Sequence, residues 1–119
     1  MPSTIRGSDN FDTAGGNAVK AWVNFNGTGT VAIRASFNVS SITDNGTGDY
    51  TVNFTNALAD ANYAQVTDCG DSSAADTTLL NFTYAGVEVP QTTSAFRFTT
   101  ALIGTGPRDQ KYITASVFR

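Results

Sequence analysis

The fold is decided by residues 20–66, KAWVNFNGTGTVAIRASFNVSSITDNGTGDYTVNFTNALADANYAQV, in which apolar and polar side chains alternate along most of the stretch. Alternation with a period of two predicts β-strands that are buried on one face. The tetrapeptide NGTG occurs at 26–29 and again at 45–48, each time between alternating runs, and Asn-Gly pairs favour the tight turns of hairpins. The stretch therefore predicts successive β-hairpins.

The alternating pattern continues to the C-terminus, and we expect further strands at 63–67, 77–84, 93–99 and 111–118. Residues 56–62, NALADAN, are too few for an independent helix and predict a crossover loop. The alternation slips by one residue between Val39 and Ile42, which predicts a β-bulge at Ser40-Ser41. About seven or eight short strands without a helix predict an all-β fold, an antiparallel β-sandwich that is jelly-roll-like or a meander, with a closed barrel as the alternative.

A chain of 119 residues is long enough for one hydrophobic core. Residues 1–17 show neither helical nor strand periodicity, so we interpret them as an N-terminal arm and residues 18–119 as a single β-sandwich domain. The residues expected inside the sandwich head the alternating faces: Val23, Phe25, Ile33, Phe37, Val52, Phe54, Phe82 and Phe96.

The charge balance argues against several classes of partner. Seven basic and ten acidic residues give a net charge of -3, which offers no basic surface for nucleic acid. No apolar run approaches the length of a membrane span, and no leader peptide is recognisable, so we expect neither membrane insertion nor secretion. The one cysteine, Cys69, cannot form an intramolecular disulfide and is expected to be a small core residue, with an intermolecular bridge as the alternative.

Histidine is absent from the sequence, which removes the usual general base, the common nucleophile triads and the commonest zinc ligand. A glycosidase needs only two carboxylates, so a carbohydrate-active enzyme stays open as an alternative. Most of the acidic residues nevertheless fall in predicted turns, where Asp is favoured for its local hydrogen bonds. We therefore expect a protein that is not an enzyme.

Two glycine-rich stretches resemble ligand loops without their structural context. Residues 27–32 match the spacing of a dinucleotide-binding loop, but a strand follows them instead of the helix that such a loop requires. Residues 44–49 look like a calcium loop but fit neither the EF-hand nor the nonapeptide-repeat spacing. Turn geometry explains both, and we expect no cofactor and no metal.

Candidate contact residues are aromatic or acidic. Trp22 lies on the face of its strand that carries Lys20 and Asn24, so we expect partial cover by another subunit or by the arm. Trp22 and the four tyrosines also suit stacking against a sugar. Residues 68–76, DCGDSSAAD, are the best candidate for a binding loop, against the simpler interpretation of a solvated loop. The candidate receptor or partner contacts are Trp22, Asp68, Asp71, Asp76 and Tyr84.

The order of elements in residues 20–66 resembles a module of tail-fibre and related structural proteins of tailed bacteriophages, especially marine and cyanobacterial ones. The likeness rests on AWVNFNG at 21–27, on Ile33-Arg34, on FNV at 37–39, on DYTVNF at 49–54 and on Asn62-Tyr63. The opening IRGSDNFD at 5–12 is also similar to openings in this group.

This resemblance implies a β-sandwich that forms a homotrimer and contacts a host-surface glycan or protein, located on the virion after synthesis in the host cytoplasm. Because the module begins close to Met1, without a shaft before it, we expect a separate fibre-tip or adaptor subunit that binds other virion proteins. The alternative is a capsid decoration protein that stabilises the head. The arm suits either role, since segments without a core of their own become ordered against a partner.

Overall fold

The structure, a computed structural model, describes residues 18–70, 79–82, 89–102 and 106–119, with 79–82 described as backbone only. The arm at 1–17, the acids Asp71 and Asp76, Tyr84 and the side chain of Phe82 lie outside the described residues. The strands are β1 (Val19–Asn26), β2 (Ala32–Phe37), β3 (Val39–Gly46), β4 (Asp49–Phe54), β5 (Ala64–Gly70), β6 (Leu79–Phe82), β7 (Ala95–Leu102), β8 (Gly106–Pro107) and β9 (Tyr112–Phe118). The described residues contain no helix, and hence none that is long and apolar enough to cross a membrane.

The strands form two antiparallel sheets, as the sequence predicts for a β-sandwich. Sheet A has the order β2-β1-β9-β5, and sheet B has the order β3-β4-β7-β6, with β8 paired to β7. Neither sheet closes on itself, so the barrel alternative is wrong. The hairpins β1–β2 and β3–β4 lie in different sheets, so the chain is not one continuous meander. Residues 55–63 form the expected crossover, leading from β4 in sheet B to β5 in sheet A.

The core lies between the two sheets and is rich in aromatic rings. Phe25, Tyr50 and Phe98 form one cluster with ring centroids 5.2–6.3 Å apart. A second cluster joins Phe54 to Tyr63 at 5.7 Å and to Phe96 at 5.9 Å. Predicted core residues that are buried are Val23, Phe25, Val52, Phe54 and Phe96.

Two predicted core residues, Ile33 and Phe37, are exposed by 37% and 52%. The cause is a β-bulge in the edge strand β2: Asn24 pairs with Ala35 but Phe25 pairs with Ile33, which leaves Arg34 as the extra residue. A bulge reverses the faces of the residues beyond it. Phe37 therefore shares the outward face of Trp22, and Ile33 lies on the inward side of a strand whose residues are all exposed. The bulge predicted at Ser40-Ser41 is confirmed, because the register shifts between Val39 and Ser41.

The passage from sheet A to sheet B depends on Asn38, the one residue between β2 and β3. Its backbone is left-handed, with φ of 55°, a conformation that Asn tolerates better than most residues. Its side-chain amide donates to the carbonyl oxygens of Lys20 (3.0 Å) and Asn56 (3.1 Å), and its Oδ1 accepts from the Asn56 amide (2.8 Å). Asn38 therefore holds β1 and the crossover loop around the point where the chain changes sheets.

We expect Asn38→Ala to lower the free energy of unfolding by about 2–4 kcal/mol, because the side-chain hydrogen bonds and the favourable left-handed residue are lost together. Asn38→Gly keeps the backbone conformation and loses only the hydrogen bonds, so it should cost clearly less. Urea denaturation of the two variants measures the difference. Equal losses in both would show that the backbone conformation contributes nothing at this position.

The end of the sandwich that carries the β1–β2 and β3–β4 turns is closed by a hydrogen-bonded network. The Tyr50 hydroxyl donates to Asp109 Oδ1 at 2.7 Å and lies 3.1 Å from the Gly27 carbonyl oxygen. The same Asp109 oxygen accepts from the Gly48 amide at 2.8 Å. Burial and the neighbouring Asp109 carboxylate raise the pKa of Tyr50, so the hydroxyl stays protonated and keeps donating.

Candidate functional site

The exposed apolar side chains are concentrated on sheet A. In the described ranges the exposed large hydrophobic residues are Val19, Trp22, Ile33, Phe37, Val66, Tyr112 and Phe118, and all of them belong to strands of this sheet. All but Ile33 point away from sheet B. Along β1 and β9 they mostly alternate with buried residues, and in β2 and β5 their register partners are outward-facing residues of β1 and β9. We call this surface the outer face of sheet A. A monomeric domain rarely exposes so many large apolar groups side by side.

A continuous row of side chains crosses this outer face in register. Phe37 pairs with Trp22, Trp22 pairs with Ser116, and Ser116 pairs with Val66, so the row spans all four strands. Trp22 is 40% exposed and Val66 is 57% exposed. Side chains in register on one face lie about 5 Å apart. The row is therefore apolar except at Ser116, and its large side chains form a band on one surface.

On the opposite surface, the outer face of sheet B, the described side chains of β3 and β4 are mostly polar, and several of them are hydrogen-bonded to one another. Asn53 donates to the hydroxyls of Ser41 (3.1 Å) and Thr43 (2.9 Å). Asp49, buried beneath the sheet surface, forms a bidentate ion pair with Arg97 through N–O distances of 2.8 and 2.6 Å. The outer face of sheet A is therefore the candidate interacting surface, since the described residues leave its large apolar groups exposed.

Two cations meet an aromatic ring at one end of the outer face of sheet A. The Arg34 guanidinium carbon lies 4.8 Å from the centroid of the Tyr112 ring, and Lys111 Nζ lies 5.6 Å from it. Arg34 is held by two neutral acceptors, Asn24 Oδ1 at 3.2 Å and the Lys111 carbonyl oxygen at 2.7 Å. Sequence reasoning missed this cluster, because Arg34 is far in the sequence from Lys111 and Tyr112 and lies at the bulge of β2.

The other end of sheet A is where the arm would join. The backbones of Ala18 and Arg119 exchange hydrogen bonds of 3.2 Å, so the residue before β1 and the residue after β9 lie at the same end of this central strand pair. Arg119 also forms a bidentate pair with Asp60, which lowers the pKa of that carboxyl to about 2. An open cavity of about 380 Å³ lies here, lined by Ala18, Asn62, Ala64, Phe118 and Arg119.

The predicted contact residues are only partly brought together. Trp22 lies on the outer face of sheet A, as its position in the alternation predicts. Asp68 was expected at the start of a loop, but this prediction is wrong, because β5 continues through it to Gly70. Its register partner Thr114 pairs in turn with Asn24, so Asp68 shares the outer face with Trp22. Asp71, Asp76 and Tyr84 fall outside the described residues.

Each carboxylate in the described part of the chain accepts hydrogen bonds that maintain the fold. Asp44 accepts from the Gly46 amide in the β3–β4 turn, and Asp68 accepts from its neighbour Cys69. Asp49 and Asp60 hold arginines, and Asp109 holds the Tyr50 hydroxyl. No group of three metal-ligating side chains occurs among the described residues.

Cys69 is buried, as expected for a small core residue. Burial raises the pKa of its thiol to about 11, with a smaller contribution from the Asp68 carboxylate. The thiolate is the reactive form. We therefore expect the native thiol to react with a disulfide reagent at pH 8 about a hundredfold more slowly than the same thiol in urea-unfolded protein. Comparable rates in the two states, followed by absorbance, would contradict the burial of Cys69.

No protein-family model, no curated protein and no solved structure matches this chain. The likeness to phage fibre modules thus rests on the residues quoted from the sequence.

Proposed function

We propose that the chain is a non-enzymatic structural protein on the outer surface of a tailed bacteriophage particle, a fibre-tip or adaptor module that assembles as a homotrimer. The sequence likeness of residues 20–66 supplies the class of particle. The observation that carries the assembling role is the apolar outer face of sheet A, because an exposed band of Trp22, Phe37 and Val66 calls for a protein partner.

A second copy of the chain is the partner that this surface fits. The band is made of aromatic and branched side chains, which dominate the centres of subunit interfaces. Charged groups make up only 14% of the chain, a low density for a protein that stays monomeric. Packing around a three-fold axis would cover the band and would raise the apparent stability by mass action.

The two ends of sheet A support a directional role in the particle. Ala18 lies beside Arg119, so a docking arm at 1–17 would leave from that end. The β1–β2 turn, the start of β9 and the end of β5 lie at the opposite end. An adaptor needs this separation, because one end attaches to the particle and the other presents a surface to the host.

The structural use of the described carboxylates supports a non-enzymatic role. Asp49, Asp60 and Asp109 are each held in a contact that fixes the fold, and ion-paired acids such as Asp49 are poor candidates for a proton donor. A carbohydrate-active enzyme would require an acid with a raised pKa, whereas the pKa of Asp60 is lowered. Release of reducing ends from host-surface polysaccharide by the purified protein would contradict this part of the proposal.

We expect Trp22→Glu to convert the trimer to a monomer, because a carboxylate in the centre of an apolar interface would be buried without a partner. The matched control is Thr43→Glu, which places the same charge on the exposed outer face of sheet B and should leave the trimer intact. Light scattering at micromolar concentration gives the mass of each variant. A wild-type mass near 12.5 kDa would refute the trimer.

The position in the particle is tested by labelling virions with an antibody against this chain. Label at the tail supports the fibre-tip or adaptor role, whereas label over the head would favour the decoration protein. Particles that bind no antibody, although their lysate contains the protein, would contradict a structural role in the virion.

A further inference from the structure

We propose that the cluster of Arg34, Lys111 and Tyr112 binds the carboxylate groups of an acidic polysaccharide, one that contains uronic acids. The proposal rests on the proposed function in one respect, since it names the ligand class that the end of the module opposite the arm would meet. It concerns a different part of the outer face of sheet A from the apolar band. Tyr112 precedes Ser116 by four residues in β9, which separates the cluster from the band by about 13 Å.

The first argument is the bulge that positions Arg34. In a regular strand this residue would alternate with its neighbours, whereas here it is the extra residue opposite Asn24 and Phe25. Bulges are often found where a side chain is turned toward a binding site. The two hydrogen bonds to Asn24 and Lys111 then fix the guanidinium over the Tyr112 ring, so its conformational entropy is already lost before a ligand arrives.

The second argument is the charge that the cluster leaves unbalanced. Arg34 is held by an amide oxygen and a backbone carbonyl oxygen, which are neutral, and Lys111 contacts the ring of Tyr112. The ion pairs seen among the described residues use other cations, Arg97 and Arg119. Two positive charges that converge without an ion-pair partner among the described residues are complementary to an anion. A guanidinium prefers the planar geometry of a carboxylate or a phosphate.

The surroundings of the cluster favour a sugar over a peptide or a nucleic acid. Asn24 and Thr114 lie beside it on the flat sheet surface and offer neutral hydrogen-bonding groups. Asp68, the register partner of Thr114 in β5, is the acidic side chain next along this row. Tyr112, 48% exposed, adds a ring with an apolar face and a polar edge. Arginine clusters also bind acidic peptide motifs, and an acidic peptide probe distinguishes that ligand from a sugar. A net charge of -3 over the whole chain opposes the long phosphate backbone of a nucleic acid.

Calorimetry at low salt measures the affinity of the full chain for tetragalacturonate. The fully methyl-esterified tetrasaccharide is the uncharged control. We expect the acid to bind at least about tenfold more tightly than the ester and to be weakened by added salt. Arg34→Gln should weaken binding of the acid by about tenfold. Lys20→Gln, which removes one cation from β1 near the arm end, should leave the affinity unchanged.

Lys111→Gln provides a second variant, because Lys111 is exposed and its replacement leaves the hydrogen bonds of Arg34 in place. It should also weaken binding of the acid. Equal affinity for the acid and the ester, or unchanged affinity in both variants, would overturn the site. Tighter binding of tetra-aspartate than of tetragalacturonate would overturn the sugar and assign an acidic peptide. If the chain binds uronate but the antibody does not label virions, the proposed function is rejected and the binding site is retained.

Discussion

Gly48→Ala is expected to lower the free energy of unfolding by about 3–5 kcal/mol, one of the largest losses available to a single methyl group in this chain. Gly48 has φ of 66°, which costs an alanine about 1–2 kcal/mol. A β-carbon would also meet backbone atoms, the Thr100 carbonyl oxygen and the Arg108 amide nitrogen, the latter at 2.6 Å. Those atoms cannot move aside, because the Thr100 amide donates to Gly48 and the Arg108 amide donates to Thr100.

Gly29→Ala is the matched control for this prediction. Gly29 has nearly the same φ, 62°, but a β-carbon there would have no neighbour within 4 Å. It should therefore lose only the conformational part, about 1–2 kcal/mol. Urea denaturation of both variants separates the backbone strain from the steric clash. Losses of the same size would show that the Gly48 turn does not approach Thr100 and Arg108 as closely as the structure has it.

The pairing of strands into hairpins could be predicted because it is encoded locally. The two NGTG turns and the alternation on either side of them require no knowledge of distant contacts. Val23 and Phe25, and likewise Val52 and Phe54, are buried together because they are two residues apart in uninterrupted strands. The bulge at Ser40 could be predicted for the same reason, because Val39 and Ile42 are both apolar but are three residues apart instead of two.

The bulge at Arg34 could not be predicted, because the sequence alternates through Ile33, Ala35 and Phe37 without a slip. The extra residue is set by the pairing of β2 with β1 and by the contacts of Arg34 with Asn24 and Lys111, which are formed only in the folded chain. The placement of the two hairpins in different sheets could not be predicted either. It depends on the left-handed backbone of Asn38, and nothing in the sequence distinguishes this asparagine from the others.

Half of the candidate site was accessible from the sequence. Trp22 falls on the polar side of its strand, which indicates an outward aromatic residue, and the structure confirms that exposure. Its partners Phe37, Ser116 and Val66 come from three other strands, so only the register of sheet A reveals the band. Candidate surfaces of a β-sandwich are thus properties of strand order, which composition and periodicity do not determine.

Phe54→Ala is expected to lower the free energy of unfolding by about 3–5 kcal/mol, as for other buried phenylalanines. The ring is 8% exposed and lies 5.7 and 5.9 Å from the rings of Tyr63 and Phe96. Its removal leaves a cavity that the neighbouring strands, fixed by the pairing of β4 with both β3 and β7, cannot fill. Thermal denaturation should therefore show a lower Tm at every protein concentration. An unchanged Tm would show that the side chain of Phe54 does not lie in the core between the two sheets.

Phe37→Ala is the control, because the same residue type lies in the neighbouring sheet but is 52% exposed in the single chain. Truncation of an exposed ring should change the stability of the monomer by no more than about 0.5 kcal/mol. If copies of the chain pack through the outer face of sheet A, however, Phe37 contributes to the trimer, and the Tm of a trimer rises with concentration. The loss in Phe37→Ala should then grow between micromolar and higher concentrations, while the loss in Phe54→Ala stays present throughout. A Phe37→Ala protein whose Tm follows that of the wild type over the whole range would remove Phe37 from the interface.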